Sequence, residues 1–271
     1  MSNLDLDHLR NWIGRQEDRH DVISAVLVER FRATIPMGLW DETDVPPGMI
    51  WCLGLPALPL GDLGQDGHPA RGGFLPPVPL VSRMWAGGEI IHHGAFSIGD
   101  AVVHSARIAD VVAKTGRSGP LVFVTVAHEY RVGGRLVVSE RQDIVYRDPV
   151  PSAVPVALDV SKPAGEGWMA SGPVQMFRYS ALTFNGHRIH YDVDYARDEE
   201  GYPGLVVHGP LQATLLLNRI AATLGAVPSR FAFRGLSPLF AGEAFRLGAE
   251  GNEVWCEKAS GTVTMKADFS A

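Results

Sequence analysis

Residues Leu121 to Arg147 leave little choice of structure. Two β-rich runs, Leu121 to Val132 and Arg135 to Arg147, are separated only by Gly133-Gly134. That pattern predicts a hairpin, because the two-residue turns that match strand twist need positive φ, which glycine adopts freely. Val122, Val124 and Val126 alternate with Phe123, Thr125 and Ala127, as in a strand with one covered face and one mixed face. The same punctuation runs through the chain. Its 271 residues include 30 glycines and 19 prolines. Segments this short favour many strands between turns and exclude long helical bundles.

The remaining pattern divides the chain in two. Residues 4 to 34 read as helical, on the spacing of Leu6, Leu9, Trp12 and Ile13 and then of Ile23, Val26, Leu27, Val28 and Phe31. Pro36 to Pro79 is a long Pro- and Gly-rich irregular region, of the kind that carries function or covers something. Strand signals follow at Gly88 to Phe96 and Ala101 to Ala113, before the hairpin. Arg147 to Pro163 holds Pro149, Pro151, Pro155 and Pro163 and reads as a semi-rigid linker. Val174 to Tyr179 reads as a short strand and Ser180 to Asp194 as a polar loop. Leu205 to Leu224 reads as a long, largely buried helix. Strands resume at Arg230 to Phe240, Ala244 to Ala249, Val254 to Glu257 and Thr262 to Phe269. Residues 95–102 (AFSIGDAV) resemble 238–245 (PLFAGEAF), with an apolar pair, a Gly-acid step and then a strand. The expectation is two copies of one α+β unit, each a long helix against an antiparallel sheet. The boundaries are 1–148, a linker 149–163, and 164–271.

Charge and composition narrow the function. Lys and Arg number 24 against 30 Asp and Glu, a net charge of −6, which excludes binding nucleic acid by bulk charge alone. The first residues, MSNLDLDHLRNW, carry acids and no apolar core of a signal peptide. The proline-broken stretch Val45 to Gly61 does not suit a membrane helix. Cys52 and Cys256 read as buried thiols of a cytoplasmic protein. His92-His93 and His128-Glu129 are adjacent pairs on strands, so their side chains point to opposite faces and do not share one ion.

Histidines and acids concentrate between Asn185 and His208. His190 lies in a polar loop beside Asp192 and Asp194, and His208-Gly209-Pro210 opens the long helix. A helix N-terminus offers unbonded N–H groups to developing negative charge. A general acid/base histidine beside such donors suits thioester chemistry that passes through an enolate.

Ser180 to Ile220 resembles the hydratase signature of the MaoC-like, hot-dog-fold enoyl-CoA hydratases. The resemblance implies a double hot-dog fold with the catalytic residues in the C-terminal unit. It gives His190 the role of catalytic histidine, Gly209 that of the backbone donor to the thioester oxygen, and Asp192 and His208 supporting places. Where that family carries a catalytic aspartate, five residues before the histidine, this chain has Asn185. An amide takes no proton from water but orients one, so His190 is left as the sole acid/base, with Asp192 or Asp194 as substitutes. Asn185 and the two acids also have bland readings, as an Asx-type turn and as capping residues, and His187 as a loop-holding residue. DGHPARGGFLPPVPLVSRMWAGG (66–88), KTGRSGPLVFVTVAHEY (114–130) and SERQDIVYRD (139–148) resemble the degenerate first hot dog of a narrower subgroup. It comprises the mesaconyl-C4-CoA, itaconyl-CoA and 3-hydroxyacyl-thioester hydratases and dehydratases.

The implied activity is reversible hydration of an α,β-unsaturated acyl-CoA, with a branched C5 dicarboxylic acyl group preferred and citramalyl-CoA as product. A general 3-hydroxyacyl-thioester dehydratase, a hot-dog thioesterase and a non-catalytic acyl-CoA-binding subunit are the alternatives. No metal and no cofactor is expected, CoA being part of the substrate, and no nucleic-acid or membrane partner. A homo-oligomer is expected. CoA phosphates and a distal carboxylate call for cations, and Arg83, Arg178, Arg188, Arg230 and Arg234 are the candidates. Trp51 to Trp85 is expected to line part of the acyl or CoA tunnel.

Overall fold

A computed structural model describes residues 4–35, 39–40, 43–116, 119–148, 158 and 165–271. The first segment is not all helix. α1 (Leu6–Arg10) is followed by β1 (Gln16–Val22) and then α2 (Ala25–Thr34). β1 reads QEDRHDV and has no apolar stripe. It is held as an edge strand by antiparallel pairing with the first half of β3 (Ala101–Gly116), Gln16 opposite Arg107 and Val22 opposite Ala101. β2 (Ser82–His92) starts six residues before the expected strand. β4 (Gly119–Val132) and β5 (Arg135–Arg147) form the expected hairpin, with φ of 55° at Gly133 and 81° at Gly134. Both positive values match a type I′ turn. The expected linker lies almost wholly outside the described residues.

In the second half the expected strand at Val174 to Tyr179 is instead a helix, α3 (Pro173–Leu182). Gly172 caps it, proline occupies its first turn, and Met176, Tyr179 and Leu182 are buried at helical spacing while Val174 and Phe177 are exposed. The short α4 (Val193–Asp198) precedes α5 (Gly209–Leu224), the expected buried helix, which ends on Gly225 at φ 65°. β6 (Arg230–Gly235), β7 (Phe245–Glu250), β8 (Glu253–Lys258) and β9 (Val263–Ser270) complete the chain.

The nine strands among the described residues form one antiparallel sheet in the order β1-β3-β4-β5-β2-β6-β9-β8-β7. Apart from β1, the order is mirrored about the β2–β6 seam, so β2, β3, β4 and β5 correspond to β6, β7, β8 and β9. The short sequence repeat falls at equivalent corners. Gly99 (φ 97°) and Gly242 (φ 85°) make the turns into β3 and β7. The Asp100 carboxylate accepts from Ser97 N–H and the Glu243 carboxylate from Phe240 N–H, each at 2.8 Å. α2, α3 and α5 pack their apolar sides into one core with β2, β6, β7, β8 and β9, around Phe31, Met176, Tyr179, Leu211, Leu216, Phe231 and Phe245. Cys52 and Cys256 are free and buried, and burial pushes the Cys52 thiol up to about 12.

Candidate active site

The loop after α3 is shaped by its own polar groups. Asn185 N–H donates to the Ser180 carbonyl at 2.8 Å, and Asn185 Oδ1 accepts from His187 N–H at 2.9 Å. A 3₁₀ turn over Arg188–His190 follows. A loop of the first half docks on this segment. Arg188 N–H donates to the Asp66 carbonyl at 2.9 Å, and Gly67 and Gly186 cross so closely that a Cβ on Gly186 would lie 2.6 Å from the Gly67 carbonyl oxygen. Only glycine permits that crossing. It brings the His68 ring to 4.2 Å from the His187 ring, which stands 5.4 Å from the His190 ring and nearly perpendicular to it.

His190 is held in one tautomer. Its Nδ1 lies 2.7 Å from the Val206 carbonyl oxygen, and Val206 N–H donates back to the Ile189 carbonyl at 2.9 Å. A carbonyl only accepts, so Nδ1 carries the proton and Nε2 keeps its lone pair. The His208 ring stacks behind His190 at 3.6 Å, and Ser180 Oγ meets His208 Nε2 at 2.8 Å. Burial, followed by repulsion from the other rings, holds His190 well below the usual histidine range. Burial, then His187, pushes His208 down to about 3. Both rings are therefore neutral at ordinary pH, and His190 is 7 % exposed.

Gly209 is the first residue of α5, where the N–H has no carbonyl one turn earlier to bond. A Cβ there would lie 2.9 Å from Trp85 Cε3. Trp85 is held in turn by Phe233, stacked at 4.4 Å, and by Trp51, edge-on at 5.4 Å. Trp51 Nε1 donates to Glu140 at 2.7 Å. Burial raises the Glu140 carboxyl to about 7, against the hydrogen bonds from Trp51 and Gln142. The register shift in β2 between Trp85 and Gly87 lies beside this packing, a common position for a bulge that aims a side chain.

A cavity of about 1950 Å³ runs over these residues. His190, His187, Asn185, Gly209, Arg83 and Arg234 line it, together with much of the Trp51 to Trp85 segment. His208 stands behind them as a buttress. Asp192 is not brought to the cavity, which corrects its expected supporting role. One of its oxygens caps α4 through Tyr195 N–H at 3.0 Å, and the other pairs with Arg188 at 2.7 Å. Asp194 lies in the exposed first turn of α4. Arg188 is occupied by Asp192 and lies over the Tyr195 ring, and Arg178 is exposed on α3, so neither lines the cavity. Arg230 pairs with Glu89 and Asp268.

Sequence reasoning missed the cluster beside His187. Asp66 Oδ2 lies 3.3 Å from Arg83 Nη2 and 3.4 Å from His68 Nδ1. Glu200, 6 % exposed, accepts from Ser82 Oγ at 2.6 Å and lies 3.9 Å from His187 Nε2. Burial opposes the charge on Asp66, but His68 and the Arg83 guanidinium hold its carboxyl well below the usual range. Asp66, His68 and His187 bring ligand-type atoms within 4.8 Å of one another. Their chemistry would suit a divalent ion, although Arg83 competes for the same carboxylate. The only sequence signal was an acid and a histidine inside a Pro- and Gly-rich segment.

A resting general base beside an unbonded helix N–H, in an apolar cavity, is the equipment for adding water to a thioester-activated double bond. Residues 51–241 match the family model of hydroxyacyl-thioester dehydratase type 2, and the chain belongs to that family. It is a hydro-lyase of the MaoC-like class whose reaction is the reversible hydration of an enoyl thioester. The mesaconyl-C(4)-CoA hydratase of Chloroflexus aurantiacus is 44 % identical over 247 residues, which cover 89 % of this chain and 88 % of that one. HtdX of Mycobacterium tuberculosis has a TM-score of 0.70 at 20 % identity over 95 % of this chain and all of that one. A second M. tuberculosis protein, described as having a double hot-dog fold, has a TM-score of 0.57 at 14 % identity over 95 % of each chain. The fold is the double hot dog. No helix among the described residues is long and apolar enough to cross a membrane.

Proposed function

We propose that the protein hydrates a branched C5 dicarboxylic enoyl-CoA, of the mesaconyl-C4-CoA type, to citramalyl-CoA. The observation that carries the chemistry is the fixed tautomer of His190, whose Nε2 is free to take a proton while Nδ1 stays bonded to Val206. Gly209 N–H polarises the thioester carbonyl. Asn185, with Oδ1 engaged by His187 N–H, has its amide N–H groups left to orient water. His190 Nε2 removes a proton from that water as its oxygen bonds to the β-carbon. The electron pair of the double bond moves onto the thioester as an enolate, and His190 returns the proton to the α-carbon. Water is added, and nothing is oxidised or reduced. The choice of substrate rests on the 44 % identity to a mesaconyl-C(4)-CoA hydratase and on the buried arginine beside the site.

Crotonyl-, octenoyl-, mesaconyl-C4- and itaconyl-CoA test the reading, with enoyl absorbance, free thiol and product mass followed together. The expected result is hydration of the dicarboxylic esters in clear preference, with the thioester intact. Preference for straight chains would make the enzyme a general dehydratase, and thiol release would make it a thioesterase.

A further inference from the structure

We propose that Arg83 anchors the distal carboxylate of the acyl group. The inference rests on the dicarboxylate reading and names the residue that enforces it. Arg83 and Trp85 are two residues apart on a regular stretch of β2, Arg83 opposite Tyr146 and Trp85 opposite Ile144. Side chains at that spacing share a strand face, with Cα atoms roughly 7 Å apart, and both line the cavity. Trp85 rests on Gly209 and so marks the oxyanion donor. On its other side Arg83 is tied through Asp66, His68 and His187 to His190. Arg83 therefore lines the same cavity as the group that polarises the carbonyl and the group that delivers water, two residues along β2 from the indole that packs on Gly209. In a β-carboxylated enoyl thioester the carboxylate is carried on the carbon that water attacks, so its partner has to be a cation lining the cavity that holds both groups.

Burial separates Arg83 from the other arginines considered. It is 8 % exposed, whereas Arg178 and Arg234 are exposed and Arg188 is half-buried and paired outside the cavity. A guanidinium has five donors. Nη2 of Arg83 meets Asp66 at a long 3.3 Å, and its buried Nε has no partner. A buried cation with unmade hydrogen bonds is costly. Asp66 offsets the charge in the free enzyme and the Tyr146 hydroxyl opposite accepts one hydrogen bond from the guanidinium, which leaves Nε and the other N–H groups for a second carboxylate, a partner that an arginine binds with two parallel hydrogen bonds.

The test compares kcat/KM for mesaconyl-C4-CoA and crotonyl-CoA in wild type, Arg83→Gln and Arg83→Lys. Losing one partner of a buried, hydrogen-bonded charge pair is expected to lower the mesaconyl-to-crotonyl ratio by about 10²–10³-fold in Arg83→Gln. Arg83→Lys keeps a cation opposite Asp66, and so keeps the fold if Gln does not. It is expected to lower the ratio about tenfold, because lysine has no fork. An unchanged ratio in both folded variants, whether the two rates hold or fall together, overturns the anchor and leaves the dicarboxylate reading standing. Wild-type enzyme that prefers crotonyl-CoA overturns the dicarboxylate reading itself.

Discussion

A histidine works as a general base only while its reacting nitrogen is unprotonated and aimed. His190 meets the second condition through Val206 and the first through burial among His208, His187 and His68. The folded protein thus keeps His190 neutral to lower pH than a free histidine. The expected kcat/KM profile has its acid limb below pH 6.5, and a limb at or above 6.5 in initial-rate assays would contradict that environment. His190→Ala is expected to lower kcat by about 10²–10⁴-fold, the usual worth of a positioned acid/base, with a cooperative melt retained. At this scale the sequence was legible where neighbours in the chain make the site. His190, Asn185 and His208-Gly209 stand within one loop and helix start. Asp66 and His68 were not legible, because only the Gly67–Gly186 crossing of two distant loops brings them to His187.

Elements decide where the oxyanion donor lies. α5 supplies the Gly209 N–H, and Trp85 on β2 fills the space a side chain would take. Gly209→Ala therefore has to push either the indole or the start of the helix. Loss of one oxyanion-hole donor typically costs about 10²–10³-fold in kcat, and a fall of that order is expected in the enoyl-absorbance assay. Activity within a few-fold of wild type would show that another group polarises the carbonyl. The hairpin of β4 and β5 and the helix α5 were legible because turn chemistry and periodicity are local signals. β1 and α3 were misread for opposite reasons. β1 carries no apolar alternation, so its structure comes from pairing with β3. The VQMFRY segment of α3 is rich in strand-favouring residues, yet Met176, Tyr179 and Leu182 are what the core takes up, at helical spacing.

The molecule buries titratable groups both on the fused sheet and in the loops around the site, and their balance sets how it responds to acid. Burial is the leading cause that lowers His68, His92, His104, His128, His190 and His208, with His92 near 4 and His128 and His208 near 3. The unfolded chain takes up a proton on each of these as pH falls through about 6.5, while the folded chain does not, so stability is lost on acidification. Glu140 has the opposite sign. Burial lifts its folded carboxyl from the ordinary 4.5 to about 7, so between those values the folded state holds a proton the unfolded state lacks, and it gains stability as pH falls. Asp66 and Glu200, both held low by their partners, rejoin the histidines below about pH 4.5. Each unmatched proton tilts the folding free energy by about 1 kcal/mol per pH unit, and six histidines against one glutamate leave a clear net sign. Denaturant titrations at pH 7.5 and 5.5 are expected to show a loss on the order of several kcal/mol, a large share of a typical domain's stability. They should also show net proton uptake on unfolding. Equal stability at the two pH values would mean that the folded and unfolded chains take up the same number of protons over that range, against what the burial of these histidines requires. His190 is one of six histidines in that sum, so its own protonation is read from the acid limb of kcat/KM, and the stability measurement tests the burial they share.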